Sequence, residues 1–203
     1  MHWPVSSDSD GNKIEYKDTW EAMTLMLEKG LTRHIGVSNF SPEQLKDLLN
    51  TTSHPPTVHQ MEMHPYLQQN EWLDFHKDHG IHVTAYSPLA GTNPTYNSGE
   101  DVPLLQNKAL LKIAHKRGCT PAQAALVWGM SRGTSVIPKA QHADYIEENF
   151  AAPQCELKEK DLKKIDKLGA QPHRYNNPSK SWKLRLYQGL EDAQGAEDYR
   201  LRK

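Results

Sequence analysis

The sequence of 203 residues has the length of one domain rather than two. Apolar residues make up only 36%, and 24 basic against 25 acidic residues give a net charge of −1. Without a cationic field we expect no nucleic acid partner. Charged residues interrupt every apolar run before the roughly 18 residues that a membrane helix needs, so we expect no membrane association. No signal peptide pattern opens the sequence, which favours a cytoplasmic location.

The two cysteines are Cys119 and Cys155. Disulfides are rare in chains that carry no secretion signal, because the cytosol keeps thiols reduced. The sequence therefore predicts two free thiols, with one disulfide as the alternative.

Four short β-branched and apolar runs predict β-strands at 32–37, 57–61, 81–86 and 134–137. Segments of helical periodicity lie between them, and this alternation predicts a parallel sheet covered by helices. The first three runs begin 25 and 24 residues apart, which fits one strand, one helix and two short loops. The units therefore repeat as they do in a β/α barrel.

Two helix starts are marked by a hydroxyl cap, a proline and a glutamine, at 41–44 and 120–123. Gly30, Gly80 and Gly118 are typical of residues that end helices. The other predicted helices are 16–29, 70–79, 107–117, 142–150 and 159–168.

The segment 87–106 is rich in Gly, Pro, Asn and Ser and follows a predicted strand, which is typical of a functional loop. The chain beyond Leu190 has little to bury, so we expect disorder there. We expect one domain over 1–170 and a partly disordered C-terminal loop and tail over 171–203.

In β/α barrels the active-site groups follow the carboxyl ends of the strands. Amides can hold a carboxamide, an aromatic face supports a planar ring, and a lysine attracts phosphate. The predicted rim combines all three kinds of group and so favours a ligand that carries amide, hydroxyl and phosphate groups. Its members are Ser38, Asn39, Gln60, Glu62, Tyr86, Ser87 and Lys139.

Five segments, in this order, resemble motifs of the aldo-keto reductase family. The resemblance covers about residues 1 to 170 and corresponds to the second half of such an enzyme. It implies a partial (β/α)8 TIM barrel that runs from the end of strand four through strand eight with outer helices. The segments are His2-Trp3-Pro4, Arg33 to Phe40, Gln60 to Tyr66, Ala85 to Leu89, and Val136 to Lys139.

The resemblance also implies a role for each matching residue around a nicotinamide cofactor, NADP(H) with NAD(H) as the alternative. His2 would orient the carbonyl of a small carbonyl or alcohol substrate, and Trp3 would line its pocket. The expected cofactor contacts are Ser38, Asn39 and Gln60 at the carboxamide, Tyr86 stacked on the nicotinamide, Ser87 and Leu89 along the pyrophosphate, Lys139 at the 2′-phosphate, and Glu148 and Asn149 at the adenine end.

The sequence departs from the family pattern in two places. Where the family usually has a hydroxyl residue and an arginine near the 2′-phosphate, this chain has Ala140 and Tyr145, which weakens the preference for NADP. Of the family's Asp, Tyr, Lys and His tetrad only His2 has a counterpart. We therefore expect a truncated chain without the tyrosine that protonates the alkoxide.

Other interpretations remain open. A half-barrel would expose two strand edges, so the chain could be a non-catalytic cofactor-binding or regulatory module that pairs with another chain or with itself. An unstable relic is a third reading. A metal site at His59, Glu62 and His64 is disfavoured because positions 59 and 64 of a strand point to opposite faces, and Glu62 is interpreted as a structural acid. We expect no metal.

Overall fold

The computed structural model describes residues 1–91 and 102–190, in which α-helices alternate with β-strands. The strands are β1 (Ser6–Ser7), β2 (Lys13–Ile14), β3 (Gly36–Ser38), β4 (Val58–Glu62), β5 (His82–Tyr86) and β6 (Ser135–Ile137). The helices are α1 (Tyr16–Glu28), α2 (Pro42–Thr51), α3 (Asn70–Asp78), α4 (Lys108–Arg117), α5 (Pro121–Ser131), α6 (Ala143–Phe150), α7 (Glu159–Asp166) and α8 (Ser179–Trp182). Short 3₁₀ turns cover Leu104–Gln106, Ala152–Gln154 and Lys167–Ala170.

The predicted elements are confirmed, with ends shifted by up to four residues, the largest shift being the start of the first strand, at 36 instead of 32. All four predicted strands correspond to β3, β4, β5 and β6, although β3 and β6 have only three residues each. The seven predicted helices correspond to α1 through α7. The sequence did not predict the small hairpin of β1 and β2 or the short helix α8.

The chain divides into two compact units. The first comprises Met1–Met61, Asn70–Val83 and the chain from Pro178, which is described to residue 190. The second comprises Glu62–Gln69 and Thr84–Asn177, without residues 92–101.

The first unit contains a parallel pair of β3 and β4, with Gly36 opposite Val58 and Ser38 opposite Gln60. The start of β5 continues the order β3-β4-β5, because the His82 amide donates to Thr57 O at 2.9 Å. A Cβ at Gly36 would lie 2.5 Å from the Val58 carbonyl oxygen, so glycine permits this close approach of the strands.

The second unit contains the end of β4, the end of β5, and β6. Thr84 lies opposite Ser135 and Tyr86 opposite Ile137 in a parallel pair. The Met63 amide, just after β4, donates to Tyr86 O at 3.3 Å. The order here is β4-β5-β6. Both units therefore have the parallel α/β arrangement that the sequence predicts.

The predicted helix signals are present in the structure. The hydroxyls of Ser41 and Thr120 each accept from the backbone N three residues on. The side-chain oxygens of Gln44 and Gln123 in turn accept from the backbone N of the two cap residues. Gly30, Gly80 and Gly118 all have φ of 66°, a left-handed conformation that favours glycine and ends a helix. These local rules fix where the helices begin and end.

Each unit has its own apolar core. In the first, Trp20 and Phe40 are each 1% exposed, and Trp20 Nε1 donates to Thr52 Oγ1 and His54 O at 3.1 Å. In the second, α4, α5 and α7 pack around Trp128, whose indole donates to Asp166 Oδ1 at 2.8 Å. The buried members of this second core include Leu110, Ile113, Ala124, Ala125 and Ile165.

The prediction of free thiols is wrong, because Cys119 and Cys155 form a disulfide. Cys119 follows the glycine that ends α4, and Cys155 follows the 3₁₀ turn Ala152–Gln154. Their Cα atoms are 5.6 Å apart, an ordinary disulfide separation. The prediction failed because it rested on the cell compartment, while the packing of the second unit brings two distant positions together.

The C-terminal segment has a short helix and buried side chains as far as it is described. Residues 171–190 contain α8 and the buried side chains of Arg174, Tyr175, Leu186 and Tyr187. The predicted disorder beyond Leu190 and the centre of the predicted loop, 92–101, lie outside the described residues. Within the described ranges no helix is long and apolar enough to cross a membrane.

Candidate functional site

Ser38 and Asn39 lie at the carboxyl end of β3, where the sequence places them. Asn39 has φ of 60°, a left-handed conformation that asparagine tolerates better than most residues. Its amide nitrogen Nδ2 donates to His2 O and to Ser38 Oγ, both at 3.1 Å. Its backbone N donates to Gln60 O at 3.1 Å. The first unit thus brings four predicted site residues together.

A cavity of about 410 Å³ borders this cluster. Its lining includes His2, Ser38 and Gln60, together with the glycine, valines and methionine around them. Asn39 does not line it, because that side chain is only 3% exposed and its amide points to His2 and Ser38. The hydroxyl of Ser38 and the amide of Gln60 can both exchange hydrogen bonds with a ligand carboxamide.

Trp3 forms an aromatic cluster in the same unit. The Trp182 ring meets Trp3 edge-on with centroids 4.9 Å apart, and Tyr187 meets it at 6.2 Å. A second cavity of about 290 Å³ is lined by His2 and Trp3 among others. The predicted substrate residues His2 and Trp3 thus border this second cavity, and two aromatic side chains near the C-terminus pack against the Trp3 ring.

In the second unit Tyr86 ends β5 and Ser87 follows it directly. Both residues are half-buried, as is Leu89. Ser87 has φ of 48°, and its hydroxyl accepts a hydrogen bond from Asn176 Nδ2 at 3.1 Å. A left-handed residue directly after a strand turns the chain sharply at the strand's end.

Glu62 organises the second unit beside Ser87. Its carboxylate accepts hydrogen bonds from the backbone N atoms of Tyr175 and Asn176 at 2.8 Å, from Asn176 Nδ2 and from His64 Nε2. Burial raises the pKa of this acid, but the hydrogen bond and charge of His64, with the charge of Arg174, lower it to about 2. Glu62 is therefore an ionised structural anchor, as the sequence suggests.

The partners of Glu62 were missed at the level of sequence. Arg174 donates to Gln69 Oε1 at 3.1 Å, and Gln69 Nε2 donates to Glu62 O at 2.6 Å. The family resemblance leads us to expect the segment 173–182 near the substrate pocket, but it has no periodicity, so nothing in the sequence pairs Arg174 or Asn176 with Glu62. Only the buried charge of Glu62, which requires partners, could have indicated that such groups exist.

Lys139, Glu148 and Asn149 also belong to the second unit. Lys139 is exposed two residues after β6, while Glu148 and Asn149 are half-buried near the end of α6. The backbone of Glu148 is held by Gln123, whose Nε2 donates to Glu148 O at 3.1 Å. Tyr145, where the family usually has an arginine, is 57% exposed on the same helix.

Among the described residues no group of three His, Cys, Asp or Glu side chains could hold a metal ion. His59 and His64, which the sequence raised as ligands, are both fully buried and have other partners. His59 bonds to a backbone amide and to His76, and His64 bonds to Glu62.

Parallel strands with hydroxyl, amide and aromatic residues at their carboxyl ends define an α/β protein of the kind that binds ligands at strand ends. Comparison with known proteins identifies the family of α/β proteins to which the chain belongs. The family model for the aldo/keto reductase family matches residues 1–170, so the chain belongs to that family.

Relatives support this assignment. The chain is 40% identical over 208 residues to an uncharacterised oxidoreductase of Schizosaccharomyces pombe, covering 95% of this chain and 63% of the relative. It is 38% identical over 178 residues to the NADPH-dependent D-xylose reductase of Meyerozyma guilliermondii, covering 83% and 56%. A solved structure of aldose reductase from Giardia lamblia matches with 34% identity and a TM-score of 0.79, covering 91% of this chain and 65% of that one. The chain thus spans less than two thirds of each of these relatives.

Proposed function

We propose that the chain carries the cofactor-binding half of an aldo-keto reductase, in which NADP(H) or NAD(H) exchanges hydride with a small carbonyl compound or alcohol. The observation that carries the proposal is the cluster of His2, Ser38, Asn39 and Gln60 beside a cavity of about 410 Å³. The NADPH-dependent xylose reductase among the relatives supports a nicotinamide cofactor.

The residues in the cluster fit the nicotinamide end of such a cofactor. Ser38 and Gln60 supply donor and acceptor groups at the cavity, and His2 lines the same cavity. A bound cofactor would supply the hydride. His2 would hold the substrate oxygen by a hydrogen bond, and the aromatic side chain of Trp3 would exclude water from the substrate pocket.

The remaining assignments follow from the family resemblance. We propose that Tyr86, Ser87 and Leu89 serve the nicotinamide and pyrophosphate, and that Lys139, Glu148 and Asn149 serve the adenosine end. We also propose that β3 to β6 are the last four strands of a β/α barrel. From the same resemblance we propose that, of the family's tetrad, residues 1–203 contain only the histidine, His2. We therefore expect residues 1–203 to bind cofactor without reducing a carbonyl at an appreciable rate.

Titration of the protein with NADPH and with NADH, followed by cofactor fluorescence, tests the proposal. We expect saturable binding of at least one cofactor. Gln60→Ala should weaken it roughly tenfold because one carboxamide partner is lost. Asn50→Ala, which removes an exposed amide from α2 in the same unit, should leave the affinity unchanged. The absence of a fluorescence change with either cofactor would refute the proposal.

A second candidate is a regulatory module that associates with a copy of itself. The order of strands places β3 at the edge of the described sheet in the first unit, and such an edge can pair with another strand. Light scattering during size-exclusion chromatography tests this function. A dimer whose population rises with concentration supports it, and a monomer at all concentrations rules it out.

A further inference from the structure

A buried pair of histidines belongs to the first unit, and one of them, His59, directly precedes Gln60 on β4. His59 on β4 and His76 on α3 are both fully buried, and His59 Nδ1 is 2.6 Å from His76 Nε2. The outer ring nitrogen of each histidine also has a backbone partner. The Phe40 backbone N donates to His59 Nε2 at 3.1 Å, and His76 Nδ1 lies 2.5 Å from the Trp72 carbonyl oxygen.

This series of contacts allows one arrangement of protons. Since Phe40 N–H is a donor, His59 Nε2 must be unprotonated, and its proton must sit on Nδ1. His59 Nδ1–H then donates to His76 Nε2, so His76 carries its proton on Nδ1 and donates to Trp72 O. Both rings are neutral, and every ring nitrogen has a partner.

One end of this series of hydrogen bonds is the backbone N of Phe40, the residue that follows Asn39. Asn39 keeps its left-handed backbone through two successive amides: its own N donates to Gln60 O, and the next N, of Phe40, donates to His59. Residues in sparsely populated backbone regions persist only where their surroundings over-determine them. Phe40 is 1% exposed, so its backbone N depends on the imidazole as acceptor and not on bulk water.

We propose that His59 is a positioning residue for the nicotinamide site. By accepting from Phe40 N, it holds the turn that aims Asn39 at His2 and Ser38. His76 fixes the tautomer that makes His59 an acceptor. This inference rests on the proposed cofactor function, and it concerns residues that contact neither cofactor nor substrate.

A matched pair of variants separates positioning from packing. In His59→Gln the longer amide can place its oxygen near the position of Nε2, whereas in His59→Asn the oxygen reaches only about as far as Nδ1. Both replace the imidazole by an uncharged amide, and they differ by one methylene. Affinity is measured for NADPH and for 2′-phospho-ADP-ribose, which lacks the nicotinamide; for an enzyme that prefers NADH, the pair is NADH and ADP-ribose.

We expect His59→Asn to bind the intact cofactor roughly tenfold more weakly than the wild type and the nicotinamide-free fragment equally well. His59→Gln should recover most of the lost affinity. Equal loss for cofactor and fragment, or no loss for either, would overturn the positioning role. Failure of the wild type to bind either ligand would instead refute the proposed cofactor function.

A measurement on the wild type keeps the inference testable if both variants unfold. Nitrogen NMR of protein with labelled histidine reports which ring nitrogen carries the proton. We expect His59 to be protonated on Nδ1 alone near neutral pH. A proton on Nε2 would exclude the bond from Phe40 N and would overturn the inference.

Discussion

The buried His76 should make the protein lose stability in mild acid. Burial in the first unit lowers the pKa of His76 to about 4, and the charge of His79 acts in the same direction. In the unfolded chain a histidine titrates near its ordinary value of about 6.5. Between these two values the unfolded state binds a proton that the folded state does not, so stability falls as the pH falls through this window.

The two pKa values determine the size of the effect. A difference of about 2.5 between the two pKa values contributes at most about 3.4 kcal/mol to the free energy of unfolding. About 2.4 kcal/mol of this contribution is lost between about pH 7 and about pH 4.5. Substitution of His76 by glutamine removes this titration. It also supplies an amide oxygen that can accept from His59 Nδ1 in place of the ring nitrogen. The variant should be less stable than the wild type near neutral pH, and its stability should depend less on pH.

Urea unfolding of the wild type and His76→Gln at about pH 7, 5.5 and 4.5 measures the difference directly. Titrating groups that do not contact residue 76 contribute equally in both proteins, so their contributions cancel in the comparison. The wild type should lose about 2.4 kcal/mol more than the variant over this range. Equal losses in the two proteins would refute the assignment of a low pKa to His76.

Three further predictions concern the fold. Reduction of the Cys119–Cys155 disulfide opens a loop between positions 36 residues apart. The free energy of unfolding should therefore fall by about 4 kcal/mol. A denaturation midpoint that reductant leaves unchanged would contradict this prediction. Gly36→Ala brings a Cβ against the Val58 carbonyl oxygen. It should lower the free energy of unfolding, measured by thermal denaturation, by about 2 kcal/mol. Ser41→Ala removes a helix cap and should cost about 1 kcal/mol, whereas the exposed Ser9→Ala should leave urea unfolding unchanged.

Local signals in the sequence were sufficient for most of the secondary structure. The capping boxes at Ser41 and Thr120 name their helix starts because the hydroxyl, proline and glutamine act within four residues. The β1–β2 hairpin was missed because each strand has only two residues, which is too few to show an alternation of apolar and polar side chains. Its turn at Asp8 and Gly11 did carry a recognisable signal, an acid whose carboxylate accepts from the backbone N atoms two and four residues further on.

The candidate site was predictable where its residues follow strands. Asn39 and Gln60 meet because β3 and β4 are parallel neighbours in register, and that relation can be inferred from spacing. The contacts of Asn176 with Glu62 and of His59 with His76 could not be inferred in this way. They join positions 114 and 17 residues apart, and only tertiary packing brings these together.

The disulfide of the second unit turns residues 119–155 into a covalent ring that carries Lys139, Glu148 and Asn149. A protease that cuts once inside the ring, for example after the exposed Lys139, cannot release either fragment from the molecule. The nicked protein would keep its full mass on a gel until reductant is added. A single cut between residues 119 and 155 thus breaks the backbone, but the disulfide keeps the two fragments covalently joined.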